Sequence, residues 1–170
     1  MSGAVAVGVF DGVHLGHLRI LERMLERARA SGGPGVVVSF DPHPDVVLSK
    51  SFQALAPLTP LPEKRARLES LGVARFEVLP FTRELAALSP EAFVQRHLVK
   101  PFAPQALVVG ENFALGRGRA GNVPRLREIG RDAGGRALAL GELEADASEP
   151  DRLRFCPHVV FPWAVRQGRW

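Results

Sequence analysis

The sequence predicts an α/β protein with an open, mostly parallel sheet and helices on both faces. Three observations lead there. Short, continuously apolar runs recur along the 170 residues and suit strands buried on both faces. Stretches with leucine at helical spacing lie between them. Polar, glycine-rich segments follow the apolar runs, at the strand ends where parallel α/β sheets bind ligands.

The elements follow in order. Ala4 to Phe10 is apolar apart from Gly8 and reads as the first strand. Leu15, Leu18, Leu21, Leu25 and Ala28 mark a helix that Gly32-Gly33-Pro34 stops. Val36 to Phe40 is the second strand, which completes a β-α-β unit with parallel strands. Asp41-Pro42-His43-Pro44 is a rigid, non-helical corner, and residues 45 to 58 read as an irregular loop. Thr59-Pro60 opens a helix with Glu63, Lys64, Arg65 and Arg67 on its polar side, closed by Leu71-Gly72. Phe76 to Phe81 is a third strand, and Arg83 to Leu88 a short helical piece. Ser89-Pro90-Glu91 starts a helix that runs to about Leu98. Ala106 to Gly110 is a fourth strand, leading into a basic, glycine-rich loop to Asn122. Val123 to Arg131 is a helix and Arg136 to Leu140 a fifth strand.

The turn after the first strand, GVFDGVHLGH from Gly8 to His17, carries the chemistry. His14 and His17 fall at the first helical turn, three residues apart and on one face. Backbone N–H groups point outward there, and the helix dipole favours anions. Gly12 and Gly16 allow a ligand close to the backbone. A phosphate site accounts for these features together; ordinary capping accounts for either histidine singly. The chain has neither G-x-G-x-x-G opening this helix nor a P-loop, and the histidine spacing is not H-E-x-x-H.

Composition narrows the classes. Hydrophobic residues make up 46% and charged residues 24%, which fits a single folded globular domain. One cysteine, Cys156, excludes an intrachain disulfide, and no apolar run is long enough to span a membrane. A cytoplasmic setting is expected. The net charge of +4 comes from basic residues scattered over helices, so neither a nucleic-acid nor a membrane partner is predicted. Phe40, Phe81 and Phe113 stand near strand ends, where they either flank a planar ring or pack in the core.

The blocks GVFDGVHLGH, SFDPHP, LTPLPEKRARLESLGV, LPFTRELAALSPEAFV and VVGENFALGRGRAGN occur in the order seen in bacterial FAD synthetases. The chain resembles the FMN adenylyltransferase module of the bifunctional riboflavin kinase/FAD synthetase, from about Ala4 to about Leu140. The histidine motif also marks the wider nucleotidylyltransferase superfamily, so the resemblance implies a Rossmann-like nucleotidylyltransferase fold. It implies that FMN and ATP, with Mg²⁺, give FAD and pyrophosphate. Carried over, His14 and His17 hold the ATP phosphates, with Gly8, Phe10, Asp11, Gly12 and Gly16 shaping the cradle and Arg117 contributing charge. Phe40, Pro42, His43, Asn112, Phe113 and Gly116 fall on the flavin side. Asn112 stands where many relatives have aspartate. No protein-held metal is implied.

The resemblance breaks after the fifth strand. The family has Ser-Ser-[Thr/Ser]-x-[Ile/Leu/Val]-Arg there, which grips the β- and γ-phosphates. This chain has GELEADASEPDRLRFCPH, in which Ser148, Arg152 and Arg154 are the nearest counterparts. The expected organisation is a nucleotidylyltransferase domain over 1–141 and a divergent tail over 142–170, without the riboflavin kinase domain. Turnover is expected to be impaired. Three other readings stay open: a non-catalytic nucleotide- or flavin-binding protein, another nucleotidylyltransferase, and a metal-dependent phosphohydrolase using Asp11, His14, His17, Asp41 and His43. Oligomeric state has no signal in the sequence.

Overall fold

Side chains of successive residues in a strand point to opposite faces, and this alternation divides the core in two. The computed structural model describes residues 3–48, 57–110, 112–132 and 139–140. Its main sheet contains β1 (Ala4–Val7), β2 (Gly35–Asp41), β3 (Arg75–Pro80), β4 (Ala106–Val108) and β7 (Ala139–Leu140) in the order β3-β2-β1-β4-β7. Every pairing in it is parallel. Val5 lies between Val36 and Leu107, and Ala6 between Val37 and Val108.

One face of the sheet presents Ala4, Ala6, Val37, Phe76, Ala106 and Val108 to α1 (Leu15–Ala30) and Leu68 of α3 (Leu61–Ser70). The other presents Val5, Val7, Val36, Val38, Leu107 and Val109. These pack against Phe93, Val94 and Leu98, and against Leu126 and Ile129 of α7 (Val123–Asp132). Helices therefore cover both faces, and strands buried on both sides have no reason to alternate polar and apolar residues.

Local chemistry sets the boundaries. α1 buries Ile20, Leu21, Met24, Leu25 and Ala28 in one stripe and stops at Ser31, with Gly32 at φ 64° after it. Thr82 caps α4 (Arg83–Ala86), and Ser89 caps α5 (Pro90–Phe93) by accepting from the Ala92 amide at 3.1 Å. Asn122 accepts from the Arg125 amide at 3.0 Å at the start of α7.

Several expectations need correction. The first strand ends at Val7, not Phe10, because Phe10 adopts φ 51° and turns the chain. The corner after β2 is not wholly non-helical, nor is the segment after it wholly irregular: Pro44–Leu48 forms α2. Proline suits a first helical position, and His43 supplies the cap by accepting from the Asp45 amide at 3.1 Å. The helix begun at Ser89 continues past Leu98, through a π-helical segment Val94–Val99 and α6 (Lys100–Phe102). The glycine-rich loop contains an antiparallel ribbon of β5 (Ala114–Leu115) and β6 (Gly121–Asn122) around a 3₁₀ turn, Arg117–Arg119. Residues 136–138 of the expected fifth strand lie outside the described residues.

Candidate functional site

β1 and β4 are neighbours, yet the chain leaves them toward opposite halves of the sheet. In open α/β sheets such a switch point, outside the C-terminal ends of the strands, is where ligands bind. The turn after β1 and the ribbon after β4 leave the sheet at this edge, and the corner after β2 leaves it one strand away.

The turn after β1 is tightly wound. Gly8 donates to the Val38 carbonyl at 3.1 Å, and the Phe10 ring lies 3.1 Å from where a Gly8 Cβ would sit. Phe10, Gly12 and Val13 then adopt φ of 51°, 73° and 40°. Left-handed backbone at a phenylalanine and a β-branched valine costs on the order of 1–3 kcal/mol each. A clamp from the start of α3 offsets it. The Asp11 carboxylate accepts from the Leu58 and Thr59 amides, both at 3.0 Å, and the Gly12 amide donates to Thr59 Oγ1 at 3.1 Å. Each such bond contributes about 1 kcal/mol, more where an ion takes part, so the three are of the right size to hold the turn.

The turn delivers both histidines to α1. His14 is its N-cap, and His14 Nδ1 accepts from the His17 amide at 3.4 Å. In a neutral imidazole an accepting Nδ1 leaves the proton on Nε2. The two rings stack at 3.6 Å with 22° between planes, and His17 tilts against Phe10 at 5.1 Å. His17 is only 3% exposed; His14 is half-buried. Gly16 lies one residue before His17, in the first turn, where N–H groups have no intrahelical acceptor. A first helical turn has backbone donors and a dipole that favour an anion.

The other expected residues divide between site edge and core. Phe10 is fully buried, and Phe40 is 8% exposed, packed edge-on to Phe81 at 5.5 Å. Pro42 is exposed beside His43, which caps α2. Phe113 is partly buried against the core, and the exposed Asn112 accepts through its carbonyl from Arg119 at 3.1 Å. Gly116 (φ 74°) and Arg117 fix the ribbon to the α4–α5 junction, where the Arg117 amide donates to the Leu88 carbonyl at 2.8 Å. The Arg117 side chain is exposed. Ser148, Arg152 and Arg154 lie outside the described residues. Among the described residues, no three of His, Cys, Asp and Glu gather as a metal-ligand set.

Lys64 does not lie on the polar side of α3. It is 3% exposed, and its Nζ donates to the Val9 carbonyl at 3.0 Å. The same carbonyl accepts from Ser39 Oγ at 2.9 Å. Burial pushes the Lys64 pKa below the ordinary lysine value, while the nearby Asp11 and Asp41 carboxylates pull it back up. The signal was its spacing: Leu61, Lys64 and Leu68 share one helical stripe, which places a lysine on the inward face.

Fold and site together define an α/β protein with a histidine-bearing turn at a helix N-terminus, on the C-terminal edge of its parallel sheet. Residues 2–149 match the family model described as FAD synthetase, and the chain belongs to that family. It is 36% identical over 136 residues to a bifunctional riboflavin kinase/FMN adenylyltransferase of Listeria monocytogenes, covering 80% of this chain and 42% of that protein. The protein with that description from Escherichia coli K12 is 36% identical over 130 residues, covering 76% of this chain and 41% of its own. The chain thus spans less than half the length of either relative. Its fold is similar to the crystal structure of a macrolide-efflux protein from Streptococcus pneumoniae, with a TM-score of 0.68 at 23% identity over 75% of this chain and 42% of that one. No helix among the described residues is long and apolar enough to cross a membrane.

Proposed function

We propose that this chain is an FMN adenylyltransferase that joins FMN to the adenylyl group of ATP, giving FAD and pyrophosphate. The observation that carries the reading is the stacked His14–His17 pair on the first turn of α1, in a member of the FAD synthetase family. ATP enters as its Mg²⁺ complex. A phosphate oxygen of FMN attacks the α-phosphorus of ATP, the bond to the β-phosphate oxygen breaks, and pyrophosphate leaves. Such a reaction asks chiefly for positioning and for positive potential where charge grows. His14, His17 and the α1 amides, with Gly8, Asp11, Gly12 and Gly16 shaping the turn, hold the ATP phosphates. Arg117 and, from the tail, Arg152 and Arg154 add charge. Pro42, His43, Asn112, Phe113 and Gly116, with Phe40 behind them, border the flavin. The setting is cytoplasmic, which a single cysteine fits.

Incubation with FMN, ATP and Mg²⁺ followed by chromatography tests the proposal. FAD is expected, and its absence together with no binding of ATP or FMN refutes the reading. A second reading, a binder that does not turn over, is favoured by one observation: Glu149-Pro150-Asp151 stands where the family has its second phosphate motif. Binding of both substrates without FAD supports that reading instead.

A further inference from the structure

The mechanism above makes no use of the one buried cation among the described residues. Lys64 reaches from α3 under the turn that carries the histidines, and its ammonium meets the carbonyl of Val9, one residue before the left-handed Phe10. Three features make this more than a satisfied side chain. A lysine ammonium leaves water only at a cost, so its burial needs compensation. It is held by the strand end from which the strained turn departs, where a small displacement of Val9 moves everything up to His14. And the second clamp on that turn, Asp11 to the amides of Leu58 and Thr59, comes from the segment leading into the same helix.

We propose that Lys64 is a positioning residue that holds the Val9–Val13 turn in the shape presenting His14, His17 and the α1 N-terminus to a polyphosphate. It acts through the Val9 carbonyl and does not touch the nucleotide. α3 and the segment leading into it thereby fix the turn at two points: Lys64 pins where it leaves β1, and Leu58-Thr59 pin its apex. The side-chain length is part of the role, since a shorter cation on the same helix would not reach Val9. The part of the proposal that concerns nucleotide rests on the adenylyltransferase reading; the part that concerns the turn does not.

Two measurements on the full chain separate these parts. The first is amide hydrogen exchange without ligand in the parent protein and in Lys64→Met, which keeps most of the apolar stem. Exchange at Gly12 and His17 should speed up about tenfold, as for loss of one buried bond to a charged group, while Val37 in the sheet centre stays protected. Unchanged exchange at Gly12 and His17 overturns the proposal. The second is ATP titration with steady-state kinetics. Lys64→Met should bind ATP about tenfold more weakly while the KM for FMN moves less than about threefold. Lys64→Arg, which restores a cation and donor, should recover ATP affinity to within about threefold of the parent. A folded Lys64→Met with parental ATP affinity overturns the nucleotide part. So does an Arg variant no better than Met. If Lys64→Met does not fold, both comparisons are made with Lys64→Gln. A parent protein that binds no ATP refutes the adenylyltransferase reading, and the exchange comparison still decides whether Lys64 sets the turn.

Discussion

His14 and His17 stand three residues apart in the motif but differ in their surroundings, and their alanine variants should differ accordingly. His14 caps α1 from a half-buried position, so His14→Ala removes a cap and, on the proposed function, a phosphate donor, with a stability loss of about 1 kcal/mol. His17 is 3% exposed between Phe10 and His14, so His17→Ala also opens a cavity and should cost about 2 kcal/mol or more. Both should weaken ATP binding, and only His17→Ala should markedly lower the melting temperature; equal melting temperatures would contradict this ranking. Lys64 has a pH signature of its own. Burial, opposed by Asp11 and Asp41, makes the folded chain release its proton below the ordinary value of 10.5. From that lowered pKa up to 10.5 the unfolded chain holds more protons, so the native state gains stability as pH rises. The parent should therefore gain on Lys64→Met as pH is raised toward 10.5 in thermal unfolding. A difference that stays flat or narrows contradicts it.

At the scale of elements, the strands were legible because burial on both faces leaves a continuous apolar run, as in Val36-Val37-Val38. α1 was legible because one side is apolar and the other charged. The histidine turn was legible as the junction of a strand and a helix because its glycines and histidines fall together between an apolar run and a leucine-spaced stretch. What escaped depends on contacts distant in sequence. The clamp joins residues 47 and 48 positions apart, and nothing local announces it. The ribbon inside the 110–122 loop is two residues per strand, too short for any periodicity. Its anchor is Gly116, where φ is 74° and an added Cβ would lie 3.0 Å from both the Leu88 carbonyl oxygen and the Pro90 nitrogen. Gly116→Ala should thus cost about 1–3 kcal/mol and loosen the ribbon from α5. Hydrogen exchange at the Arg117 amide, which donates to Leu88, should speed up while the α1 amides do not change; an unaltered Arg117 amide would show that the ribbon is held elsewhere.

For the molecule as a whole, the distribution of charge matters more than its total. The chain is +4 overall, yet Gly141 to Arg154 carries Glu142, Glu144, Asp146, Glu149 and Asp151 against Arg152 and Arg154. β7 pairs parallel to β4, so the chain passes Leu140 at the same sheet edge as the histidine turn and the ribbon. Nine residues from there to Glu149 span at most about 30 Å, the width of a small domain, so the acids and arginines of the tail have the reach to meet a bound polyphosphate. In the proposed reaction, arginines within reach of the leaving pyrophosphate would favour it and carboxylates would repel it. Neutralising two acids with Glu149→Gln/Asp151→Asn should then tighten ATP binding several-fold at low ionic strength and raise the rate of FAD formation. The gain should shrink as salt is added, since the Debye length falls to about 10 Å at 0.1 M. The opposite pair, Arg152→Ala/Arg154→Ala, should weaken ATP binding under the same conditions. Titrations that find all three proteins equal in ATP affinity at low salt would take the tail out of the site and leave the histidine turn to hold the phosphates alone.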